Sequence, residues 1–198
     1  MKLAGIAWMA VVTSLVLASP AQAGWVLVPV DAPSTVAKSK LVVTTFGEWN
    51  RSTKRPSVKG EFWTQNGAAI DAISFFGGLV KGDPLVKERQ KKDKPLPKFD
   101  PAMLPTDIPQ LFEQTSRIVL GTSLFEITEV RPVTFLGHSG VQFSYRYTME
   151  TDNLERLGEA RAAIVDGKLY MIEFTAPALH YFDAEIEDAR KIMDSARL

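Results

Sequence analysis

The second half of the chain alternates between hydrophobic and polar residues. The clearest case is the segment VQFSYRYT, in which one face is formed by Val141, Phe143, Tyr145 and Tyr147. A period of two residues predicts a β-strand with one buried face and one solvated face. The neighbouring segments LFEITEV, VTFL, EARAAIV and KLYMIEFT are also predicted to be strands.

Two dipeptides predict tight turns between strands. Asn66-Gly67 separates EFWTQ from AAIDAISFF, and Asp166-Gly167 separates EARAAIV from KLYMIEFT. Both pairs are typical of two-residue type I′ turns, so each is predicted to close a β-hairpin. Nearer the N-terminus, LVVTTF is a predicted strand, and GWVLVPV is predicted to be a strand or an extended segment.

Two segments have helical periodicity. The helix predicted over residues 106–121 ends at Gly121, a typical helix cap, and has one apolar face formed by Ile108, Leu111, Phe112, Ile118 and Val119. The helix predicted near the C-terminus has an apolar face formed by Phe182, Ile186, Ala189, Met193 and Ala196. Hairpins outnumber crossovers, which favours an α+β fold with helices packed on an antiparallel sheet, an α/β/α-like sandwich.

The first 23 residues have the features of a secretory signal peptide. Lys2 precedes a short apolar stretch, and the segment ends in Ala-Gln-Ala, a typical cleavage pattern. We therefore expect cleavage after Ala23, a periplasmic location, and a mature chain of residues 24–198 that forms a single domain. No later stretch is long and apolar enough to predict a membrane span.

The amino-acid composition excludes several kinds of catalytic and metal-binding site. The chain has no Cys, which excludes disulfides, thiolate catalysis and cysteine-ligated metals, and it has only two His. No HExxH-type spacing occurs, so neither a metal nor a cofactor is predicted. Residues 24–100 carry 13 Lys and Arg against 8 Asp and Glu, whereas residues 101–198 carry 9 against 15. An exported protein is a poor candidate for binding nucleic acid.

The strongest positive cluster lies in a proline-rich loop over residues 81–105. Five prolines make a long surface excursion the best prediction, with a short helical turn over residues 84–90. The candidate binding residues in this loop are Lys87, Arg89, Lys91, Lys92, Lys94 and Lys98. They are suited to an acidic patch on an envelope protein or to an anionic lipid surface, or they keep a solvated loop soluble.

The C-terminal half of the chain resembles the PsbP-like fold family, which includes DcrB-like periplasmic proteins. The strand pattern of that family is matched by Gly167, Tyr170, Ile172, Phe174 and Ala176. The resemblance covers residues 124–198, and the ending departs from the family because Ala196 stands where an aromatic residue is expected. It implies a small α/β scaffold and a non-catalytic helper or binding role, and it carries over no functional residue.

One stretch looks catalytic, namely Gly-His-Ser-Gly at residues 137–140. A nucleophile elbow requires G-x-S-x-G between a strand and a helix, but Val141 replaces the second glycine and a strand follows. We therefore predict a hairpin turn in which Gly137 and Gly140 supply unusual backbone dihedral angles.

Carboxylates and aromatic residues are the remaining candidates. Acid–base catalysis is conceivable for Glu126, Glu129 and Glu173, but a cross-strand ion pair of Glu173 with Arg146 or Arg161 is the favoured prediction. The aromatic residues Trp49, Trp63, Phe75 and Phe76 form either part of the core or the lining of an apolar pocket.

The sequence thus leaves three functional hypotheses. The first is a non-enzymatic binding or assembly-helper protein of the periplasm that makes contact through the basic loop. The second is a small-molecule or lipid carrier, which requires a closed apolar cavity of roughly several hundred Å³. The third is an envelope hydrolase that uses Ser139.

Overall fold

The computed structural model describes residues 24–149 and 151–198, so the predicted signal peptide lies outside the described residues. These residues form an α+β fold with one large antiparallel sheet, as predicted. The strands are β1 (Trp25–Leu27), β2 (Pro33–Thr35), β3 (Val42–Thr44), β4 (Asn50–Ser52), β5 (Gly60–Thr64), β6 (Ala72–Leu79), β7 (Phe125–Phe135), β8 (His138–Thr148), β9 (Glu155–Val165) and β10 (Lys168–Pro177).

Eight strands form the large sheet in the order β1-β4-β5-β6-β10-β9-β8-β7, and β2 pairs with β3 in a separate small sheet. The four long C-terminal strands were all predicted, and LFEITEV and VTFL join into the single strand β7. The short strands β2 and β4 were not predicted, because their residues, PST and NRS, are mostly polar and include the turn-forming types Pro, Asn and Ser.

One helix covers each face of the sheet. The cross-strand register puts Phe143, Ala160 and Glu173 on the face under α1 (Ile108–Leu120). Ile172 and Phe174, which flank Glu173 in the sequence, point to the opposite face, where α2 (Tyr181–Asp194) packs. The predicted α/β/α-like sandwich is therefore confirmed, and each face has its own hydrophobic core.

The predicted core faces of both helices are partly confirmed. In α1, Ile108, Leu111 and Phe112 are buried, and Gly121 ends the helix with a φ of 67°. Val119, however, is 54% exposed, because the last turn of α1 borders a groove. In α2, the predicted residues Ile186, Ala189 and Met193 are buried, whereas Phe182 is only partly buried and Ala196 lies beyond the helix.

The two predicted tight turns have different outcomes. Asp166 and Gly167 have φ angles of 50° and 71°, as the predicted type I′ turn requires. At Asn66-Gly67 the predicted hairpin is confirmed, since β5 and β6 pair antiparallel, but the predicted two-residue turn was wrong, because β5 ends at Thr64 and β6 begins only at Ala72. The longer loop is stabilised by the carboxylate of Asp71, which accepts hydrogen bonds from the backbone N–H groups of residues 65 and 66, both at 2.7 Å.

Candidate functional site

The basic loop, residues 81–105, is an ordered excursion anchored by buried apolar side chains. Leu85, Leu96 and Phe99 are buried beneath it. Its two ends are joined where the N–H of Gly82 donates to the carbonyl of Phe99 (2.8 Å) and the N–H of Phe99 donates to the carbonyl of Asp83 (2.9 Å). The loop therefore presents its charged residues from a fixed base.

The helical turn predicted over residues 84–90 is absent, since those residues are irregular. A single turn follows instead, in which the N–H of Lys94 donates to the carbonyl of Gln90 at 2.8 Å. The physical reason is that the backbone of this segment bonds to a different part of the chain. The N–H of Lys87 donates to the carbonyl of Pro56 at 2.8 Å rather than to a carbonyl one helical turn earlier.

The six candidate cations fall into two groups. Lys98 contacts the carboxylate of Glu88 at 2.5 Å, and this bond, together with the N–H of Leu96, lowers the pKa of Glu88. Lys98 therefore serves the structure of the loop. The other five are exposed and make no ion pair with any residue in the described part of the chain: Lys87, Arg89, Lys91, Lys92 and Lys94.

An apolar groove, which we call the α1 groove, lies between α1, the basic loop and the large sheet. It has a volume of about 220 Å³. Its aromatic lining consists of Phe62, Phe76, Phe112, Phe125, Tyr145 and Tyr147. It opens to solvent beside Val119, so it is a groove rather than a closed cavity.

The α1 groove continues into a cleft beneath the basic loop. This cleft has a volume of about 380 Å³ and is lined by three of the exposed cations, Lys87, Arg89 and Lys94. Val86 and Val119 line both spaces, so the aromatic and basic surfaces adjoin. An elongated ligand can therefore contact both surfaces at once.

A buried carboxyl lies at the floor of the α1 groove. Glu173 of β10 is only 6% exposed and accepts a short hydrogen bond from the hydroxyl of Tyr145. Burial raises the pKa of Glu173 to about 7, and hydrogen bonds from Tyr145 and Ser74 oppose this increase. Burial also raises the pKa of Tyr145, and the adjacent carboxylate adds to that effect. Glu173 is thus partly protonated near neutral pH.

A small residue on β9, an interior strand next to β10, makes room for this pair. Gly158 of β9 lies directly between Tyr145 and Thr175 in the register. A Cβ atom at Gly158 would lie 2.0 Å from Cζ of Tyr145, so the tyrosine ring lies across the glycine to reach Glu173.

The predicted ion pair of Glu173 with Arg146 or Arg161 was wrong. Arg161 is directly opposite Ile172, so it lies on the other face of the sheet from Glu173. It contacts Asp194 instead, and Arg146 pairs with Glu126 at 2.7 Å. Glu129, the third candidate carboxylate, is exposed on the edge strand β7.

The Gly-His-Ser-Gly stretch forms the start of β8. The turn before it is Leu136-Gly137, with φ angles of 54° and 76°. Ser139 is exposed and pairs with Thr134 across the hairpin, and no hydrogen bond joins it to a histidine or a carboxylate within the described ranges. His138 lines a cleft with Asp166 that does not include Ser139.

The two glycines of that stretch have different roles. Gly137 has the unusual positive φ that the sequence predicted, but the prediction for Gly140 was wrong. Gly140 is needed for space, because a Cβ atom there would lie 2.4 Å from the carbonyl oxygen of Ala162.

The four candidate aromatic residues divide between the two faces of the sheet. Trp49, Trp63 and Phe75 are fully buried in the core under α2. Phe76 belongs to the other core and lines the α1 groove. The sequence allowed an apolar pocket but did not locate it, although two signals were present: Glu173 stands among apolar residues, and Tyr145 lies on the predicted buried face of its strand.

The described residues contain neither a helix suited to spanning a membrane nor a cluster suited to binding a metal ion. No helix in residues 24–149 or 151–198 is long and apolar enough to cross a membrane. No group of three or more His, Asp or Glu residues in those ranges is arranged to hold a metal ion.

Comparisons with known proteins reveal similarity in fold alone. No family model matches the sequence, and no curated protein matches it. The fold is similar to the solution structure of cyanobacterial PsbP (CyanoP) from Synechocystis, with a TM-score of 0.57 and 13% identity over 91% of this chain and 96% of that one. A second structure, LpqN of Mycobacterium tuberculosis, is described as involved in cell envelope biogenesis. Its TM-score is only 0.34, with 13% identity over 88% of this chain and 78% of that one.

The comparison confirms the resemblance to the PsbP-like fold. The similarity also extends beyond residues 124–198, since the aligned region covers most of the chain. The N-terminal strands therefore belong to the same fold, although their sequence gave no such indication.

Proposed function

We propose that this chain is an exported, non-enzymatic binding protein of the periplasm, and that it binds an anionic partner in the cell envelope through the basic loop. The N-terminal segment, with its apolar stretch and Ala-Gln-Ala ending, supports export. The role is that of a binding or assembly-helper protein, and the partner is an acidic envelope protein or an anionic lipid surface.

One observation carries this proposal. The anchored loop presents five exposed cations that have no ion-pair partner in the described part of the chain. Lysine and arginine side chains near an anionic surface contribute about 1 kcal/mol each, so the five cations together supply about 5 kcal/mol of electrostatic attraction. Because the base of the loop is buried, the charges keep their spacing before a partner arrives.

The arrangement of residues gives less support to the other two hypotheses. A serine hydrolase requires a base within hydrogen-bond reach of the nucleophile, and Ser139 stands on an exposed strand without one among the described residues. A carrier that encloses its ligand was predicted to need a large closed cavity, whereas the α1 groove is open and, at about 220 Å³, has room for only one end of a ligand.

The test measures binding before and after the loop charges are removed. The protein is expressed with its own N-terminal segment and purified. Its binding is then measured to vesicles of pure phosphatidylcholine and to phosphatidylcholine vesicles that contain about 30% phosphatidylglycerol, which gives them a strong negative surface charge. The variant combines Lys87→Gln, Arg89→Gln and Lys94→Gln. The control combines Lys38→Gln, Lys40→Gln and Lys168→Gln, which remove equal charge from exposed positions elsewhere.

An envelope-protein partner is tested in parallel. Because the chain has no Cys, Gln90→Cys introduces one labelling site in the loop for a photo-crosslinker. The proposal is supported if the protein binds anionic vesicles or an isolated crosslinked protein, and if the affinity of the loop variant is about 100-fold lower while that of the control is unchanged. Equal binding by the loop variant and the control on both arms would overturn the proposal.

A further inference from the structure

We propose that the α1 groove binds the apolar end of an anionic single-chain amphiphile whose headgroup contacts Lys87, Arg89 and Lys94. This inference rests on the proposed function and specifies its ligand: a molecule with one short alkyl or aromatic segment and one phosphate or carboxylate group. The two adjoining surfaces, one aromatic and one basic, have the same division of chemistry as such a ligand.

The walls of the groove set the nature of the apolar end. Six aromatic side chains line it, and apolar surface dominates the space that they enclose. Removal of apolar surface from water is the main driving force for filling such a groove. With about 30 Å³ for each water-sized group, 220 Å³ accommodates about seven groups, so a chain of about seven carbons fills the groove.

The basic cleft sets the position of the headgroup. Lys87, Arg89 and Lys94 line the cleft that continues from the groove past Val86 and Val119. A headgroup in this cleft lies beside three cations that have no ion-pair partner among the described residues. A phosphate or carboxylate there forms charge-assisted hydrogen bonds without displacing an existing pair.

The floor of the groove fixes the direction of the ligand. The carboxyl of Glu173 lies there, and the hydroxyl of Tyr145 already donates to it. An anionic headgroup at the floor would meet this carboxylate, and no Lys or Arg is among the described residues that line the groove. The apolar end must therefore enter first, and the headgroup must stay at the basic cleft.

The first experiment needs no variant of the protein. Calorimetric titration measures the affinity of butyl, hexyl, octyl and decyl phosphate, each below its micelle concentration. Affinity should rise by up to about fourfold for each added methylene and should level off beyond about seven carbons, when the groove is full. A matched alkyl glucoside series, which lacks the anion, should bind at least about 10-fold more weakly.

Two variants perturb the groove and the headgroup site, and because Val119 lines both spaces, the dependence on chain length distinguishes the two effects. Val119→Trp fills the mouth of the groove and should weaken octyl phosphate by at least about 10-fold. Leu179→Trp, which also replaces an exposed aliphatic side chain but lies on the β10–α2 connection, should not. The triple loop variant should weaken every alkyl phosphate by a similar factor. Thermal unfolding checks that each variant remains folded.

The outcomes distinguish this inference from the proposed function. Binding that depends on both the chain length and the loop cations supports both the amphiphile inference and the proposed function. Binding that requires the cations but ignores chain length and Val119→Trp overturns the amphiphile inference and leaves the proposed function standing. Binding that depends on neither, or no binding to any alkyl phosphate, overturns the inference, and the vesicle and crosslinking arms then decide the proposed function alone.

Discussion

Replacing Glu173 by Gln should stabilise the protein in alkaline solution but not in acid. The carboxyl is buried at the floor of the α1 groove, and its pKa rises from 4.5 to about 7 because burial disfavours the charged form. Glutamine has nearly the same shape, cannot ionise, and keeps an oxygen that accepts the hydrogen bond from Tyr145. The substitution therefore removes the charge and little else.

The sign of the pH dependence follows from proton binding. Between pH 4.5 and about 7, the folded state holds the proton of Glu173 more tightly than the unfolded state does. Stability from this carboxyl is complete below pH 4.5 and is lost as the pH rises through about 7. Each pKa unit corresponds to about 1.4 kcal/mol, so ionisation of Glu173 lowers the free energy of unfolding by about 3 kcal/mol.

The assay is urea unfolding followed by tryptophan fluorescence from pH 4.5 to 8.5, which is suitable because Trp49 and Trp63 are fully buried. The variant should match the wild type near pH 4.5 and exceed it by about 3 kcal/mol at pH 8.5, with an unchanged m-value. Glu185 also has a raised pKa of about 7, so the difference between variant and wild type is the quantity to compare.

An exposed carboxylate supplies the control. Glu126→Gln removes a surface ion pair with Arg146 and should change the free energy of unfolding by less than about 1 kcal/mol. If Glu173→Gln shifts stability by the same amount at pH 4.5 and pH 8.5, the carboxyl does not titrate in this range, and the reasoning from burial is refuted.

Four further predictions concern the supports of the site. Tyr145→Phe removes the hydroxyl that donates to the buried carboxyl and should cost about 1–3 kcal/mol in urea unfolding at pH 8; unchanged stability would contradict the pairing. Gly158→Ala should lower the free energy of unfolding by about 1–3 kcal/mol and alter the near-UV circular dichroism. The control Gly47→Ala, where the nearest atom to the added Cβ is 3.7 Å away, should do neither, and equal effects of the two variants would contradict the close approach of the Tyr145 ring to Gly158. Leu85→Ala should cost about 2–5 kcal/mol and expose the basic loop to trypsin; resistance like that of the wild type would show that the loop is not anchored there. Mass spectrometry of the protein recovered from a periplasmic extract should find a chain that starts after Ala23, and an intact N-terminus would disprove cleavage.

Much of the fold could be predicted because its signals are local. The alternation of VQFSYRYT, the apolar faces of the helices and the Asp166-Gly167 turn each depend on a few adjacent residues. The Asn66-Gly67 turn was mispredicted for the opposite reason. Its loop is organised by Asp71, several residues away, and by the contact of Asn66 with Glu185 on α2.

The candidate site was only half predictable. The charge of the basic loop is visible in the sequence, but the burial of Leu85 and Phe99 beneath it is not, since the apolar residues are scattered among prolines and lysines. The pairing of Lys98 with Glu88, ten positions earlier, also depends on how the loop folds back.

The sequence by itself determined the periodicity of the long strands, the two amphipathic helices, the absence of cysteine chemistry and the cluster of positive charge. Only the tertiary structure decided that Glu173 faces Tyr145 rather than an arginine, because a strand shows which residues share a face but not which strands are neighbours. It also decided that the aromatic residues of β5, β8 and α1 meet beside the basic loop, since a groove exists only where separate elements pack incompletely against each other.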